Sequence, residues 1–286
     1  MKPAPFEYVA PRSLDEAVAL LAQHGDEAKV LAGGQSLVPM MAFRLATPAV
    51  LVDVNGVREL DYQRRDDDTL VLGALTRHRV VADLGLRERC ALLAEGMDLI
   101  GHPAIRNRGT AGGSVAHADP AAEWPAILLA LDGEVSAVGP RGERTIPADD
   151  LFVTYFTTSL APDELVTEIR LPLPNASGRV RSTFVEFARR QGDFALVGVA
   201  AVAERTSDGS VADARLALIG VADRPIRARA AEAALHGRQP TDEALEDAAR
   251  AVDGEIDPVS DVHGSAQYRR HLAKVLVRRA LARIAR

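Results

Sequence analysis

Leu31-Ala32-Gly33-Gly34-Gln35-Ser36-Leu37, followed by Pro48-Ala49-Val50-Leu51-Val52-Asp53-Val54-Asn55-Gly56, is the stretch on which the reading of the fold turns. Lys29-Val30-Leu31 is short and mostly apolar, and it runs straight into the double glycine, so it reads as a buried strand that stops in a tight turn. Residues 49–54 read as another strand, closed by Asn55-Gly56. Upstream, residues 6–9 read as a strand. Ser13, with Glu16 three residues later, gives a capping-box start to an apolar-periodic helix over 14–23, which Gly25 ends. Residues 1–56 therefore form a β-α-β-loop-β lobe.

A second double glycine, Thr110-Ala111-Gly112-Gly113-Ser114-Val115-Ala116, repeats the pattern in a different part of the chain. Glycine tolerates positive φ and lets backbone approach a ligand, so consecutive N–H groups can converge on a phosphate with no side chain in the way. The hydroxyls of Ser36, Thr110 and Ser114 supply further donors. One Gly-Gly pair alone reads more readily as a tight turn than as a cradle. Two in separate lobes suit a diphosphate lying between them. No G-x-G-x-x-G follows the first strand and no G-x-x-x-x-G-K-[ST] occurs, which argues against a Rossmann dehydrogenase or a P-loop enzyme.

Beyond residue 57 a second lobe is expected. It has a polar turn at residues 66–68, a strand at 69–73, helices near 76–83 and 90–100, and strands at 134–138 and 164–171. Asp119-Pro120 reads as the N-cap and N1 proline of a helix running through Leu131, with Glu123 as a first-turn carboxylate. Pro174 and Asn175-Ala176-Ser177-Gly178 mark a boundary, placing one domain over 1–176, with lobes of about 1–56 and 57–176, and a second over 177–286. Strands at 181–188, 195–205 and 211–220 predict a small antiparallel sheet. The periodic stretches 228–235, 242–251 and 265–285 predict helices packed on one of its faces. The fold class is α+β.

With 286 residues, 47% of them hydrophobic, the chain has ample material for a buried core, and only 4% are aromatic. A net charge of -6 without a basic run excludes the electrostatic footprint of a nucleic-acid binder. No apolar stretch is long enough for a bilayer span and the start shows no cleavable signal pattern, so a cytoplasmic protein without a transmembrane segment is expected. Cys90 is the sole cysteine, so any iron–sulfur cluster must sit on a partner chain. The seven histidines show no metal-ligand spacing. No residue is assigned a catalytic or metal-binding role.

The 31–37 loop, the 48–56 strand, IGHPAIRNRGTAGGSVAHADPAAEWP over 100–125 and RRQGDFA over 189–195, in that order, resemble the medium FAD subunits of aerobic carbon monoxide dehydrogenase and related molybdenum hydroxylases. The same module occurs fused within xanthine dehydrogenase. The resemblance spans nearly the whole chain. It implies a two-lobed FAD-binding domain of the vanillyl-alcohol-oxidase type, then a C-terminal domain of three antiparallel strands and a helical bundle. It implies that Leu31, Ala32, Gly33, Gly34, Gln35, Ser36 and Leu37 wrap the FAD diphosphate together with Thr110, Ala111, Gly112, Gly113, Ser114, Val115 and Ala116, and that Glu123 binds the adenosine ribose. The flavin would lie near Ile100, Gly101, Leu165 and Val166. Phe194 is either a flavin contact or a core residue of the small sheet.

The sequence departs from the family at Ser114, where many relatives carry Asn, at Glu123, where many carry Asp, and at Glu186, where some carry a lysine near the flavin. By the same resemblance, substrate oxidation takes place at a molybdenum cofactor in a large subunit. Electrons then cross [2Fe–2S] clusters of a small subunit to the FAD of this chain, within a dimer of heterotrimers. A stand-alone flavin oxidoreductase and an FAD-free scaffold subunit are the rival readings; the scaffold would have damaged glycine loops, whereas Gly33, Gly34, Gly112 and Gly113 are intact. The substrate, whether carbon monoxide, an N-heterocycle, a purine, an aldehyde or an aromatic thioester, is open at this point, as is the terminal acceptor.

Overall fold

The computed structural model describes residues 2–174 and 179–284, so the expected boundary at 176/177 lies outside the described residues. The first lobe is a parallel sheet in the order β1-β3-β2, from β1 (Glu7–Val9), β2 (Ala28–Leu31) and β3 (Val50–Asp53). Helix α1 (Leu14–His24) buries Ala17 and Leu21. Ser13 Oγ accepts from the Glu16 N–H at 3.2 Å, as the capping box predicts. The reciprocal arm closes one residue early, with the Arg12 N–H donating to Glu16 Oε2 at 2.7 Å. A short helix, α2 (Leu37–Ala42), follows the first glycine pair.

The second lobe holds β4 (Gln63–Asp66), β5 (Thr69–Gly73), α3 (His78–Ala82), α4 (Ala91–Leu99), α5 (Pro103–Arg108), α6 (Ala111–His117) and α7 (Glu123–Ala130). It continues through β6 (Glu134–Gly139), β7 (Gly142–Pro147), α8 (Ala148–Leu151), the small hairpin β8 (Phe152–Thr154) and β9 (Thr157–Thr158), and β10 (Leu165–Pro172). Its antiparallel sheet runs β4-β5-β10-β6-β7. Strand β10, the last of the lobe in sequence, takes the centre because Leu165, Val166, Ile169 and Leu171 are all buried there. Edge strand β7 escapes the sequence reading because Glu143, Arg144 and Thr145 are exposed and give no apolar alternation.

The predicted N-cap at Asp119 is corrected. Asp119 Oδ1 accepts from the Ala121 N–H at 2.9 Å in a turn, the helix starts at Glu123, and Ala122 stands at the cap. The Pro120 carbonyl is meanwhile occupied by the Gly220 N–H at 2.8 Å. A contact from the C-terminal part of the chain thus holds this turn out of the helix.

In that part, β11 (Val180–Phe187), β12 (Val197–Arg205) and β13 (Val211–Ile219) form the predicted antiparallel sheet, extended by the two-residue strand β14 (Ile226–Arg227). The helices are α9 (Arg229–Leu235), α10 (Asp242–Ala251) and α11 (Ala266–Ile284). Alternation divides the sheet. Val185, Val197, Val199, Ala201, Leu216 and Leu218 face these helices, whose buried side includes Ala231, Ala248, Ala273 and Ala280. Phe184, Ala200, Val202, Ala217 and Ile219 join the core of the second lobe with Leu92, Met97 and Ile127.

Because both faces are covered, β12 reads as a nearly continuous apolar run. Helix α7, buried along its whole length, lies between the two sheets. Polar ties complete the junction. Glu95 Oε2 accepts from Thr183 Oγ1 at 2.7 Å and from the Phe184 N–H at 2.8 Å, and Arg227 donates to Asp132 Oδ1 at 2.6 Å. Each large apolar side chain buried across such a junction contributes about 1.5–3 kcal/mol, so the lobe and the C-terminal sheet hold together as one body. Among the described residues no helix is long and apolar enough to cross a membrane.

Candidate cofactor site between the lobes

At the end of β2, Leu31 pairs with Asp53 of β3, and the chain then leaves the sheet. Gly34 takes φ +72°, a conformation that L side chains rarely adopt, and this reverses the chain into α2. The carbonyls of Gly34 and Ser36 accept from Val38 and Met40, and the Gln35 amide donates to the Gly33 carbonyl at 3.1 Å. The backbone N–H groups of Gly33, Gly34, Gln35 and Ser36 have no acceptor among the described residues. Consecutive unpaired N–H groups form a donor set suited to an anion, and Ser36 adds a hydroxyl with no capping bond of its own.

The second glycine pair is built differently. The segment is not an open turn but the first turn of α6, and its donors are spent. The Ala111 N–H donates to the Thr76 carbonyl at 2.9 Å, Gly112 to the Ala74 carbonyl at 3.0 Å, Gly113 to Thr110 Oγ1 at 3.0 Å, and Ser114 to the Thr110 carbonyl at 3.0 Å. A Cβ on Gly112 would lie 2.5 Å from Ala74 Cβ and 2.7 Å from its Cα and carbonyl oxygen. Gly112 thus lets α6 sit directly on the chain that follows β5. The expected outcome of Gly112→Val is a less stable apo chain, by about 1–3 kcal/mol for overpacking, seen as a lower Tm. An unchanged Tm would remove this packing role.

The two glycine segments nevertheless meet. A Cβ on Gly33 would lie 2.5 Å from the Arg108 carbonyl oxygen and 2.7 Å from Gly109 Cα, and one on Gly113 would lie 3.6 Å from Ala32 Cβ. What the second segment offers a ligand is therefore the half-buried Ser114, whereas Thr110 is buried and its Oγ1 caps α6.

Ile100 and Gly101 are pinned by Arg106, whose Nη1 donates to both carbonyls at 2.9 Å, and Gly101 has φ +46°. Leu165 and Val166 are buried in two different cores and pair with β6, on the strand against which α6 packs. Phe194 is 57% exposed, which rules out the core role considered for it. Its loop reaches the second lobe through Gly192, at φ +87°, which rests on the His102 ring. His117 closes α6 with its ring 5.1 Å from that of Phe156.

Burial, aided by the Glu186 and Asp119 carboxylates, pushes the Glu123 carboxyl up to about 8. Burial raises Glu186 on β11 to about 7, and its Oε2 is a buried oxygen without a partner. Two carboxyl groups, on α7 and β11, thus repel each other with no ion-pair partner for either among the described residues. His78 is held neutral, pushed down to about 4 by burial and by Arg77 and Arg106, and its Nδ1 accepts from Trp124 Nε1 at 3.0 Å.

Sequence reasoning missed a polar chain running through the site. Tyr8 donates to Asp53 Oδ2 at 2.6 Å, and Asn55 Nδ2 donates to Asp53 Oδ1 at 2.6 Å and to the Ala32 carbonyl at 2.8 Å. Arg77 donates through Nη2 to Asn55 Oδ1 at 2.6 Å and through Nη1 to the Arg108 carbonyl. The available signal was Asn55-Gly56, which reads equally well as an ordinary turn.

A two-lobed domain with a run of unpaired backbone donors where the lobes meet, backed by a sheet-and-helix domain, has the architecture of a flavoprotein subunit. The chain belongs to the family described as the FAD binding domain in molybdopterin dehydrogenase, matched over residues 4–174, and residues 182–284 match the CO dehydrogenase flavoprotein C-terminal domain. It is an FAD-binding medium subunit of the molybdenum hydroxylase class of oxidoreductases.

Subunit alpha of the 6-hydroxypseudooxynicotine dehydrogenase complex of Paenarthrobacter nicotinovorans is 44% identical, over 99% of this chain and 95% of that one. The carbon monoxide dehydrogenase medium chain of Hydrogenophaga pseudoflava is 40% identical, over 98% and 97%. The solved structure of reconstituted CO dehydrogenase from Oligotropha carboxidovorans superposes with a TM-score of 0.96 at 35% identity, over 100% of this chain and 99% of that one.

Proposed function

We propose that this chain is the electron-transfer subunit of a heterotrimeric molybdenum hydroxylase. It takes electrons from [2Fe–2S] clusters of a small subunit and passes them to an external acceptor, while substrate oxidation takes place at a molybdenum cofactor in a large subunit. The heterotrimers pair into a dimer in the cytoplasm. The FAD-binding domain covers residues 1–176 and the C-terminal domain 177–286, a division supported by the two family matches on either side of it.

The observation that carries the FAD reading is the run of unpaired N–H groups from Gly33 to Ser36 where the lobes meet. These residues hold the diphosphate, with Leu31, Ala32 and Leu37 flanking them, and Thr110 to Ala116 close the other side. Glu123, at the first turn of α7, accepts from the adenosine ribose hydroxyls. Ile100, Gly101, Leu165, Val166 and Phe194 border the flavin. When bound, FAD accepts and releases electrons singly or in pairs, so the work of the protein is binding, orientation and exclusion of water.

Relatives of similar identity carry the names of different substrates, a nicotine derivative in one case and carbon monoxide in another. This supports placing substrate choice outside this chain. The test is an absorbance spectrum and cofactor assay of the chain purified alone and with its native partners. FAD on this chain, with iron and molybdenum arriving only with partners, is the expected result. A flavin-free chain in both preparations overturns the reading, and substrate-dependent flavin reduction by the single chain would make it a stand-alone oxidoreductase.

A further inference from the structure

The polar chain through the site assigns a task to a residue outside both glycine segments. Arg77 stands on the connection between β5 and α3, half buried, yet it is within ion-pair distance of no carboxylate among the described residues. Asp53 and Asp61 act on it only through space. Asp53 is already occupied by Tyr8 and Asn55. Another cation, Arg108, adds its field to burial in disfavouring the charged Arg77 guanidinium, and outweighs either Asp61 or Asp53 taken singly. A partly buried guanidinium without a carboxylate in contact is costly unless an anion arrives to balance it.

The position of Arg77 singles out that anion. Its hydrogen bonds to Asn55 and to the Arg108 carbonyl go to neutral acceptors that each belong to the cradle. Asn55 holds the carbonyl of Ala32, the residue entering the glycine pair, and the Arg108 carbonyl is the atom against which Gly33 packs. One side chain from the second lobe thereby fixes the first glycine loop from both sides, beside N–H groups that face no acceptor. A guanidinium has five donors, and these two bonds leave others open.

We propose that Arg77 is the cationic diphosphate-binding side chain of this site: it clasps the two lobes through Asn55 and the Arg108 carbonyl and supplies the positive charge that the backbone cradle lacks. Arg108 adds a second, more exposed charge to the same field. The proposal rests on the FAD reading above.

The experiment measures FAD affinity of the full-length apo chain by flavin fluorescence across a salt series, for wild type, Arg77→Lys and Arg77→Met, with the Tm of each apo chain. The expected result is that Arg77→Met binds FAD about ten- to a hundredfold more weakly, as the loss of a charge-assisted hydrogen bond predicts. Its affinity should also depend less steeply on salt, because one ionic contact is gone. Arg77→Lys should recover the salt dependence and part of the affinity. Equal FAD affinity in Arg77→Met, or a loss that keeps the wild-type salt dependence and is not relieved by lysine, overturns the proposal. A wild-type chain that binds no FAD overturns instead the reading on which it rests.

Discussion

A Gly33→Val chain is expected to fold and to purify without flavin. The glycine is buried, and a Cβ there would fall 2.5 Å from the Arg108 carbonyl oxygen and 2.7 Å from Gly109 Cα. Both neighbours are backbone, so no side-chain rotation relieves the clash, and the branched methyl groups of valine add to it. The cheapest response is for the 32–36 loop to lift away from the segment leading into α6. That movement breaks the alignment of the N–H groups from Gly33 to Ser36 but spares the buried residues of the three hydrophobic cores, to which the loop adds only the partly buried Ala32 at the margin of one. The measurement is the FAD-to-protein ratio, with circular dichroism as the check on folding. Full FAD occupancy in the folded variant would remove the loop from the diphosphate site. Gly112→Val should behave differently, since its clash is with Ala74 inside the second lobe and its first effect falls on stability.

The second large effect is on pH dependence. Glu123 and Glu186 have folded-state values of about 8 and about 7, above the ordinary glutamate value of about 4.3 that the unfolded chain shows. The folded apo chain therefore holds more protons than the unfolded chain between those limits. Its stability is fully present below the unfolded value and is lost as pH rises through 7 and 8. For Glu123 alone the loss is on the order of a few kcal/mol.

The Tm of the apo chain is expected to fall from about pH 5 to pH 8 and to level off above that, as both carboxyls ionise in the folded chain as well; Glu123→Gln should flatten that fall and raise the Tm at pH 9. A slope that survives Glu123→Gln unchanged would show that this carboxyl is not the titrating group. Ribose hydroxyls donating to the ionised carboxylate would reverse the penalty, so the FAD-loaded chain should lose less stability over the same range.

How much of this was legible beforehand depended on how local each signal was. The start of α1 was readable because Ser13 and Glu16 act within a single turn. The long strands and α11 were readable because alternation and three-to-four spacing are repeated over many residues. Helices α2 and α5 were not read because each spans only six residues, too few for periodicity to stand out. Asp119-Pro120 carries a strong local helix-start signal, yet a hydrogen bond from Gly220, a hundred positions further on, claims the Pro120 carbonyl and the helix begins later. Arg77 and Asn55 had no sequence signature because their partners are carbonyls and an amide that only the folded chain brings within reach.

By itself the sequence determined the longer strands and helices, the small C-terminal sheet with its helices, and the ordered motifs that mark the flavoprotein family. These rest on short-range propensity, periodicity and spacing, which a linear chain displays openly. The difference between two nearly identical glycine pairs was decided only in the tertiary structure. The N–H groups after Thr110 find the carbonyls of Ala74 and Thr76 and disappear into a helix start, whereas those after Ala32 find no acceptor among the described residues. Which backbone donors stay free depends on which carbonyls the rest of the fold places beside them, and that is settled by contacts across the lobes.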